Sequence, residues 1–458
     1  MNGQKENTSM GNACIGNAYT GMGVRLGDAD YPSPFKTGLE YNPPARGVWN
    51  IVHTGMLVPQ AHQIFVCAQG CLRGVVLTAM EMNAPHRMSW ISVEENDMFD
   101  GTMEQDIIDG ITEILGKLKY TPRAVLVFLS CIHLFAGCDF EVILDNLRGR
   151  FPHIDFTDCY MTPTMRKTVT PDVKMRIQLY DMLKPLPIDN RSVNIIGNDR
   201  PTDEDSELMK ILRTNGFAVR DITLCGDYDE YLKMSESGLN ITWLPTAKPS
   251  GESLAVRLGG KHLHLPAYFD FELTEENYRE LCRDLEVTAP DFREGKALAE
   301  KALKKALEVV GDTPIAVDFT AVTLPFELAK LLCIYGFNVR YIFTDAILPD
   351  DQKAFEWLRE NRPDIMIYSA VDVSMEFFRP ECPETKGEKI LAVGQKAAFY
   401  CGTDYFVNIV ANGGYYGYSG TAKIADLIAD AFSRKKDRRE IIQHKGWGLC
   451  CNAQHCHT

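Results

Sequence analysis

One strand–helix–glycine–strand unit occurs twice in this 458-residue chain with almost the same closing run. Asn215-Gly216-Phe217-Ala218-Val219-Arg220 follows the helical stretch from about Asp203 to Thr214, and Tyr335-Gly336-Phe337-Asn338-Val339-Arg340 follows a helix from about Leu324. A glycine accepts the left-handed backbone that ends a helix, so each run reads as a helix stop feeding a new strand. Each unit opens on a short apolar strand, Val193-Asn194-Ile195-Ile196-Gly197 in one and Ile315-Ala316-Val317-Asp318-Phe319 in the other. Short apolar runs alternating with amphipathic helices define α/β architecture. Ala124 to Leu129 adds a third such beginning, a strand apolar on both faces, followed by a helix over Asp139–Arg148 and a strand at Ile154-Asp155-Phe156.

At about 150 residues per domain the length accommodates three. The expected fold is therefore three doubly wound, Rossmann-like α/β domains with parallel sheets around a central cleft. The boundaries read as an irregular Gly/Asn/Pro-rich arm over 1–44, a first domain over 45–190, a second over 191–291, a third over 292–433 and a tail over 434–458. Sheets of this kind bind ligands beyond the carboxyl ends of their strands.

The charge balance narrows the partners. With 48 Lys plus Arg against 62 Asp plus Glu, the net charge is −14. Nucleic acid and anionic membranes reward positive charge, so neither is an expected partner. Met1 to Met10 contains no apolar run of the secretory type, and the longest apolar stretch, Ala124 to Ala136, is too short to span a bilayer. A cytoplasmic location is expected. Fourteen cysteines exceed what packing needs, and in a reducing compartment such a surplus points to metal or redox chemistry. Cys225, Cys282 and Cys333 lie in apolar surroundings and are expected to be inert.

The thiols that carry chemistry lie at strand ends. In His62-Gln63-Ile64-Phe65-Val66-Cys67-Ala68-Gln69-Gly70-Cys71, Cys67 ends a short apolar strand and Cys71 follows near a helix start. Cys131 ends the Ala124 strand and Cys138 precedes the Asp139 helix. Two strand ends, each with a second thiol nearby, can converge on one cluster, and helix N-termini stabilise its negative charge. Coincidental pairs of buried cysteines fit the spacing equally well. No G-x-x-x-x-G-K-[ST] loop occurs, so the chain is not expected to hydrolyse ATP itself, and no G-x-G-x-x-G follows a strand.

At these residues the chain resembles component 1 of nitrogenase and its relatives. His62 and Cys67 keep the five-residue offset of the His-Gly-Pro-x-Gly-Cys segment that supplies a P-cluster ligand in the family's α subunits, with Gln63-Ile64 in place of Gly-Pro. Ser130-Cys131-Ile132-His133-Leu134-Phe135-Ala136-Gly137-Cys138-Asp139 is similar to the family's second ligand segment, Thr-Cys-x-x-x-x-Ile-Gly-Asp-Asp. Glu95-Asn96-Asp97-Met98-Phe99-Asp100-Gly101 lies between them like the family's Glu-x-Asp-x-x-Phe-Gly-Gly, and Gly417-Tyr418-Ser419-Gly420 precedes the last helix. The order and spacing of these motifs over about residues 45–433 carry the resemblance.

The resemblance implies an iron–sulfur cluster, a 4Fe–4S or P-cluster-like centre, held by Cys67 and Cys131 with Cys71 or Cys138 as replacement thiolates. It implies electrons from a separate ATP-hydrolysing iron–sulfur reductase, an anaerobic oxidoreductase activity, and assembly as a homo-oligomer or with a paralogous component 1 subunit. The departures are equally informative. No cysteine stands in Asn42-Pro43-Pro44-Ala45-Arg46, where the family's first P-cluster cysteine lies, so fewer thiols per chain suggest one cluster shared across a dimer. The family's molybdenum-cofactor cysteine aligns near Leu244 and its histidine near Val407, and neither side chain can ligate a metal. The cleft is then open to an organic substrate or holds a second, differently ligated metal centre. A non-catalytic scaffold for metallocluster assembly or delivery is the rival reading, and a binding protein with structural cysteines is a third.

Three further features complete the reading. His262 and His264 share one face of a strand-like segment and can donate protons or ligate metal, although exposed loop histidines are the expected explanation. Arg166 has the fork to hold a carboxylate, with a surface salt bridge as the simpler role. Cys450, Cys451, His455, Cys456 and His457 crowd the tail and can bind zinc or iron. The basic run Arg434-Lys435-Lys436-Asp437-Arg438-Arg439 reads as a solvated linker.

Overall fold

A computed structural model describes residues 23–35, 40–41, 43–45, 47–48, 50–94, 96–99, 101–162, 164, 170–378 and 389–442. Arg166 and the Cys/His-rich end of the tail lie outside the described residues. The first strand, β1 (Gly23–Arg25), belongs to a sheet formed far along the chain. The first sheet is built from β2 (Ala61–Cys67), β3 (Met88–Ser92), β4 (Ala124–Ser130) and β5 (Asp155–Met161), all parallel, in the spatial order β3-β2-β4-β5. The second holds β6 (Asp189–Ile195), β7 (Ala218–Asp221), β8 (Ser237–Thr242) and β9 (Lys261–His264), again parallel, in the order β7-β6-β8-β9. The third contains β10 (Ile315–Asp318), β11 (Val339–Phe343), β12 (Met366–Tyr368), β13 (Leu391–Val393) and β14 (Phe406–Val407), in the order β12-β11-β10-β13-β14. The chain is thus an α/β protein of three separate sheets, parallel except for the edge strand β1. Among the described residues no helix is long and apolar enough to cross a membrane.

The strands β2 and β4 are buried along their whole length, so they read as continuous apolar runs, as parallel strands covered on both faces do. Phe65, Cys67, Leu126 and Phe128 pack on one face, whereas Ile64, Val66, Val125, Val127 and Leu129 pack on the other. The two matched glycines behave as their sequence context requires, with Gly216 at φ 72° and Gly336 at φ 91°. The arm is less irregular than the sequence suggests. Gly23–Arg25 pairs antiparallel with β12, Gly23 opposite Tyr368, and closes one edge of the third sheet.

In each sheet the first strand has its successor on one side and a later strand on the other. That reversal, the topological switch point, lies between β2 and β4, between β6 and β8, and between β10 and β13. In the third sheet this position is filled by the chain itself. Asp318, at the end of β10, accepts hydrogen bonds from Thr320 N at 2.7 Å, Ala321 N at 3.2 Å and Ala397 N at 2.6 Å. Gly394 adopts φ 123°, and a Cβ there would overlap the Asp318 carboxylate. In the second sheet Asp199, just beyond β6, is paired with Arg176 at 3.0 Å, and the Arg176 guanidinium also bonds the Gly197 carbonyl.

The second and third sheets are joined by an exchange of carboxylates. The helix Gly417–Ser433 has no acidic residue in its first turn. Glu207, from the helix Glu207–Thr214 of the second unit, supplies one by accepting Tyr418 N at 3.1 Å and Ser419 N at 3.2 Å, together with Tyr278 Oη at 3.0 Å. In return Glu327 of the third unit accepts Phe269 N at 3.2 Å and Asp270 N at 3.0 Å, where the helix Phe271–Asp284 begins. Carboxylates at helix N-termini satisfy orphan amides and the helix dipole together. Glu207→Ala leaves the Tyr278 hydroxyl and two amides without this acceptor, and is expected to cost about 1–3 kcal/mol in a urea unfolding measurement.

Candidate metal centre

The first sheet is the one whose switch point ends in thiols. Val66 is level with Leu129 across the β2–β4 ladder, so Cys67 stands beside Ser130 and the next residue is Cys131. Cys131 opens the short helix Cys131–Ala136, and His133 Nδ1 in its first turn accepts the backbone N–H of Ser130 at 3.0 Å. Thr164 Oγ1 donates to Cys131 Sγ at 3.4 Å. Cys71 lies in the first turn of the helix Gln69–Glu81, exposed, and close enough to Cys67 to act on it electrostatically.

The thiols differ in environment. Cys67 is fully buried, and burial with Cys71 nearby pushes its thiol up to about 12. Cys131 is half-buried. Cys138 is half-buried on the opposite face of the sheet, its thiol donating to Met103 Sδ at 3.1 Å, and burial followed by the Glu104 charge pushes it up to about 11. The fold therefore brings Cys67, Cys71 and Cys131 to one sheet end and separates Cys138 from Cys67 by the thickness of the sheet. Among the described residues no three Cys, His, Asp or Glu side chains form a set able to hold a metal ion. The donor chemistry, two thiols on adjacent strand ends with a third exposed nearby, fits part of a thiolate-held cluster and requires further donors from elsewhere.

His62 is part of the scaffold of β2. Its Nδ1 lies 2.7 Å from Tyr120 Oη, which donates to the His86 carbonyl, and its Nε2 lies 2.8 Å from Ser89 Oγ. Tyr120 therefore accepts from Nδ1–H and Ser89 donates to Nε2, a neutral tautomer. Burial, then the charges of Arg87 and His86, push His62 down to about 4. An open groove of about 400 Å³ runs between the helix Gln69–Glu81 and the edge strand β3, lined by Gln69, Leu72, Arg73, Trp90 and Ser92.

Other sequence expectations resolve as follows. Leu244 and Val407, the positions aligned with large-cofactor ligands, are 2% and 1% exposed and belong to apolar cores. Cys282 is buried while Cys225 and Cys333 are half-buried, and burial pushes all three thiols up. The basic linker is partly anchored, with Lys435 and Arg438 both paired to Asp404. His262 and His264 are not exposed loop residues. They lie on the edge strand β9 and share the Thr242 hydroxyl, an arrangement hidden from the sequence because Thr242 belongs to the neighbouring strand.

Two measurements follow from these environments. In the metal-free protein at pH 8, iodoacetamide is expected to label Cys71 well before Cys67, read by peptide mass spectrometry, because only an accessible thiolate reacts. For His62 the unfolded chain takes up a proton first, since its ordinary value of 6.5 exceeds the folded value of about 4. Its neutral contribution is complete above 6.5 and is lost as pH falls toward 4, by up to about 3 kcal/mol. His62→Gln is expected to flatten the pH dependence of unfolding free energy across that window.

The comparisons with known proteins bear on the chain as a whole. A family model described as nitrogenase component 1 type oxidoreductase matches residues 52–433. A solved structure of nitrogenase Cp1 at pH 6.5 has a TM-score of 0.66 and 13% identity, over 87% of this chain and 94% of that chain. A second, nitrogenase Cp1 at pH 5, has a TM-score of 0.57 and 13% identity, over 91% of this chain and 94% of that one. At such identity the likeness is one of fold. A search of curated protein sequences gives no match.

Proposed function

The chain belongs to the nitrogenase component 1 family of oxidoreductases, and on that premise we propose that it is the catalytic iron–sulfur subunit of a nitrogenase-like reductase. The observation that carries the reading is the placement of Cys67 and Cys131 at the ends of adjacent parallel strands, at the switch point of the first sheet. A bound 4Fe–4S or P-cluster-like centre would supply one-electron transfer there. Cys67 and Cys131 would hold it, Cys71 is the nearest third thiol, and Cys138 stays on the far face as a core residue. The remaining donors would come from a second copy or a paralogous subunit. Leu134 and Phe135, on the helix that Cys131 opens, are exposed, Phe135 by 74%, and large exposed apolar side chains suit a surface that another chain covers. Electrons would arrive from a separate ATP-hydrolysing iron–sulfur reductase, and the substrate would occupy an interdomain cleft. With Leu244 and Val407 in the ligand positions, reduction of dinitrogen by the standard cofactor is not the proposed activity.

The same two aliphatic residues also suit a non-catalytic scaffold that assembles or delivers a cluster. Turnover with a cognate reductase separates the two, because a scaffold gives none and instead passes its cluster to a recipient apoprotein.

The test is iron and acid-labile sulfide content with EPR on anaerobically purified protein. Cys67→Ala and Cys131→Ala are each expected to lose the cluster signal, while Cys138→Ala keeps it. Iron-free wild-type protein, or a signal intact in both of the first two variants, would defeat the assignment.

A further inference from the structure

The second and third units are also linked through a chain of hydrogen bonds outside the cysteine site. His262 Nε2 lies 2.8 Å from Thr242 Oγ1, the same hydroxyl lies 2.9 Å from His264 Nδ1, and His264 Nε2 lies 3.2 Å from Asp350 Oδ2. His264 is on β9 of the second sheet, whereas Asp350 precedes the helix Gln352–Asn361 of the third unit. His264 Nδ1 also sits 3.1 Å from the Thr242 carbonyl, which already accepts Leu265 N at 2.8 Å.

A hydroxyl has one hydrogen to donate, and this fixes the possible proton arrangements. With His264 neutral, His262 Nε2–H donates to Thr242, Thr242 donates to His264 Nδ1, and His264 Nε2–H donates to Asp350. With a second proton on His264, Nδ1–H becomes a donor to the Thr242 hydroxyl and carbonyl. The Thr242 hydrogen, no longer given to His264, is free to turn to His262, whose Nε2 accepts it once the His262 proton sits on Nδ1. In that state the Asp350 contact is an ion pair. The network gains one proton, and on His262 an Nε2–H bond is exchanged for an Nδ1–H bond, with solvent taking up the one proton and supplying the other.

We propose that this network is a proton-operated latch between the second and third units: uptake of one proton at His264 tightens the bridge to Asp350 and simultaneously switches the tautomer of His262. Further titratable groups surround the network. The loop carrying Asp350 adds the buried Asp351, the helix Pro325–Ile334 adds Glu327, and Tyr268 lies among these carboxylates. On the other side the helix Lys248–Leu258 brings Lys248 and Glu252 toward His262, whose ring it clamps, since a Cβ on Gly251 would overlap the imidazole. Burial and the neighbouring His264 both push His262 down, which keeps it neutral while His264 takes the proton.

Ring-nitrogen NMR of the full chain labelled with ¹⁵N-histidine tests the coupling between pH 8 and 5.5, with His262→Gln and His264→Gln for assignment. His264 is expected to gain a proton on Nδ1 while His262 changes from Nε2–H to Nδ1–H over the same interval. In Thr242→Val, His264 still titrates and His262 no longer responds. Amide exchange at Leu265, corrected for intrinsic pH effects, is expected to slow roughly fivefold on acidification in the wild type and not in Asp350→Asn, a half-exposed position that tolerates the isosteric change. A single His262 tautomer throughout the titration, or an unchanged pH response in Asp350→Asn, overturns the proposal.

Discussion

Parallel pairing of β2 with β4 is the constraint from which the candidate metal centre follows. Parallel strands need a crossover for every return, so all carboxyl ends of a sheet collect at one side. The first strand of such a sheet is flanked on both sides by later strands, and its end and that of its third-formed neighbour form a crevice. Here those ends are Cys67 and Ser130-Cys131. Two cysteines separated by a long stretch of sequence end adjacent strands because of ladder register alone. Cys138 lies apart from these ends. It follows the short helix back over the other face, where Met103 receives it.

The other two switch points are furnished differently. Asp318 occupies the third with a buried carboxylate, and Arg176 with Asp199 occupies the second. Each fills its switch point with groups already tethered to the chain. Glu207 and Glu327 extend the principle across the seam between units. Both cap a helix that belongs to the other unit, so neither end of the seam is fully satisfied until both units have folded. The seam is specific because its partners are directional, and removing either carboxylate leaves buried donors behind.

Much of this architecture was legible in the residues. The paired Gly216 and Gly336 stops, the all-apolar Ala124–Leu129 run and the Asp139 helix start each state a local rule that the fold obeys. The strand-end position of Cys67 and Cys131 was equally visible, because the apolar runs end there. What could not be read was which face each thiol takes and what crosses between units. Cys138 needed the return path of the helix, and β1 needed a partner more than three hundred residues away. The His262–Thr242–His264–Asp350 chain draws on three separate segments, and only His262 and His264 share a local pattern. Pairings of that kind are set by tertiary closure, to which hydrophobic periodicity is blind.

The edge strand β1 has a consequence for the order of synthesis. Gly23 emerges from the ribosome early, but its partner Tyr368 follows only after both other sheets have been made. Leu26 and Gly27 likewise wait to donate to Ile365 and Pro363. Until then β12 presents an unpaired edge and the N-terminal segment an unpaired strand, each a template for association with another nascent chain. Closure of this edge therefore waits for the third unit, and a ribosome-bound chain that lacks that unit carries its first strand without its native partner.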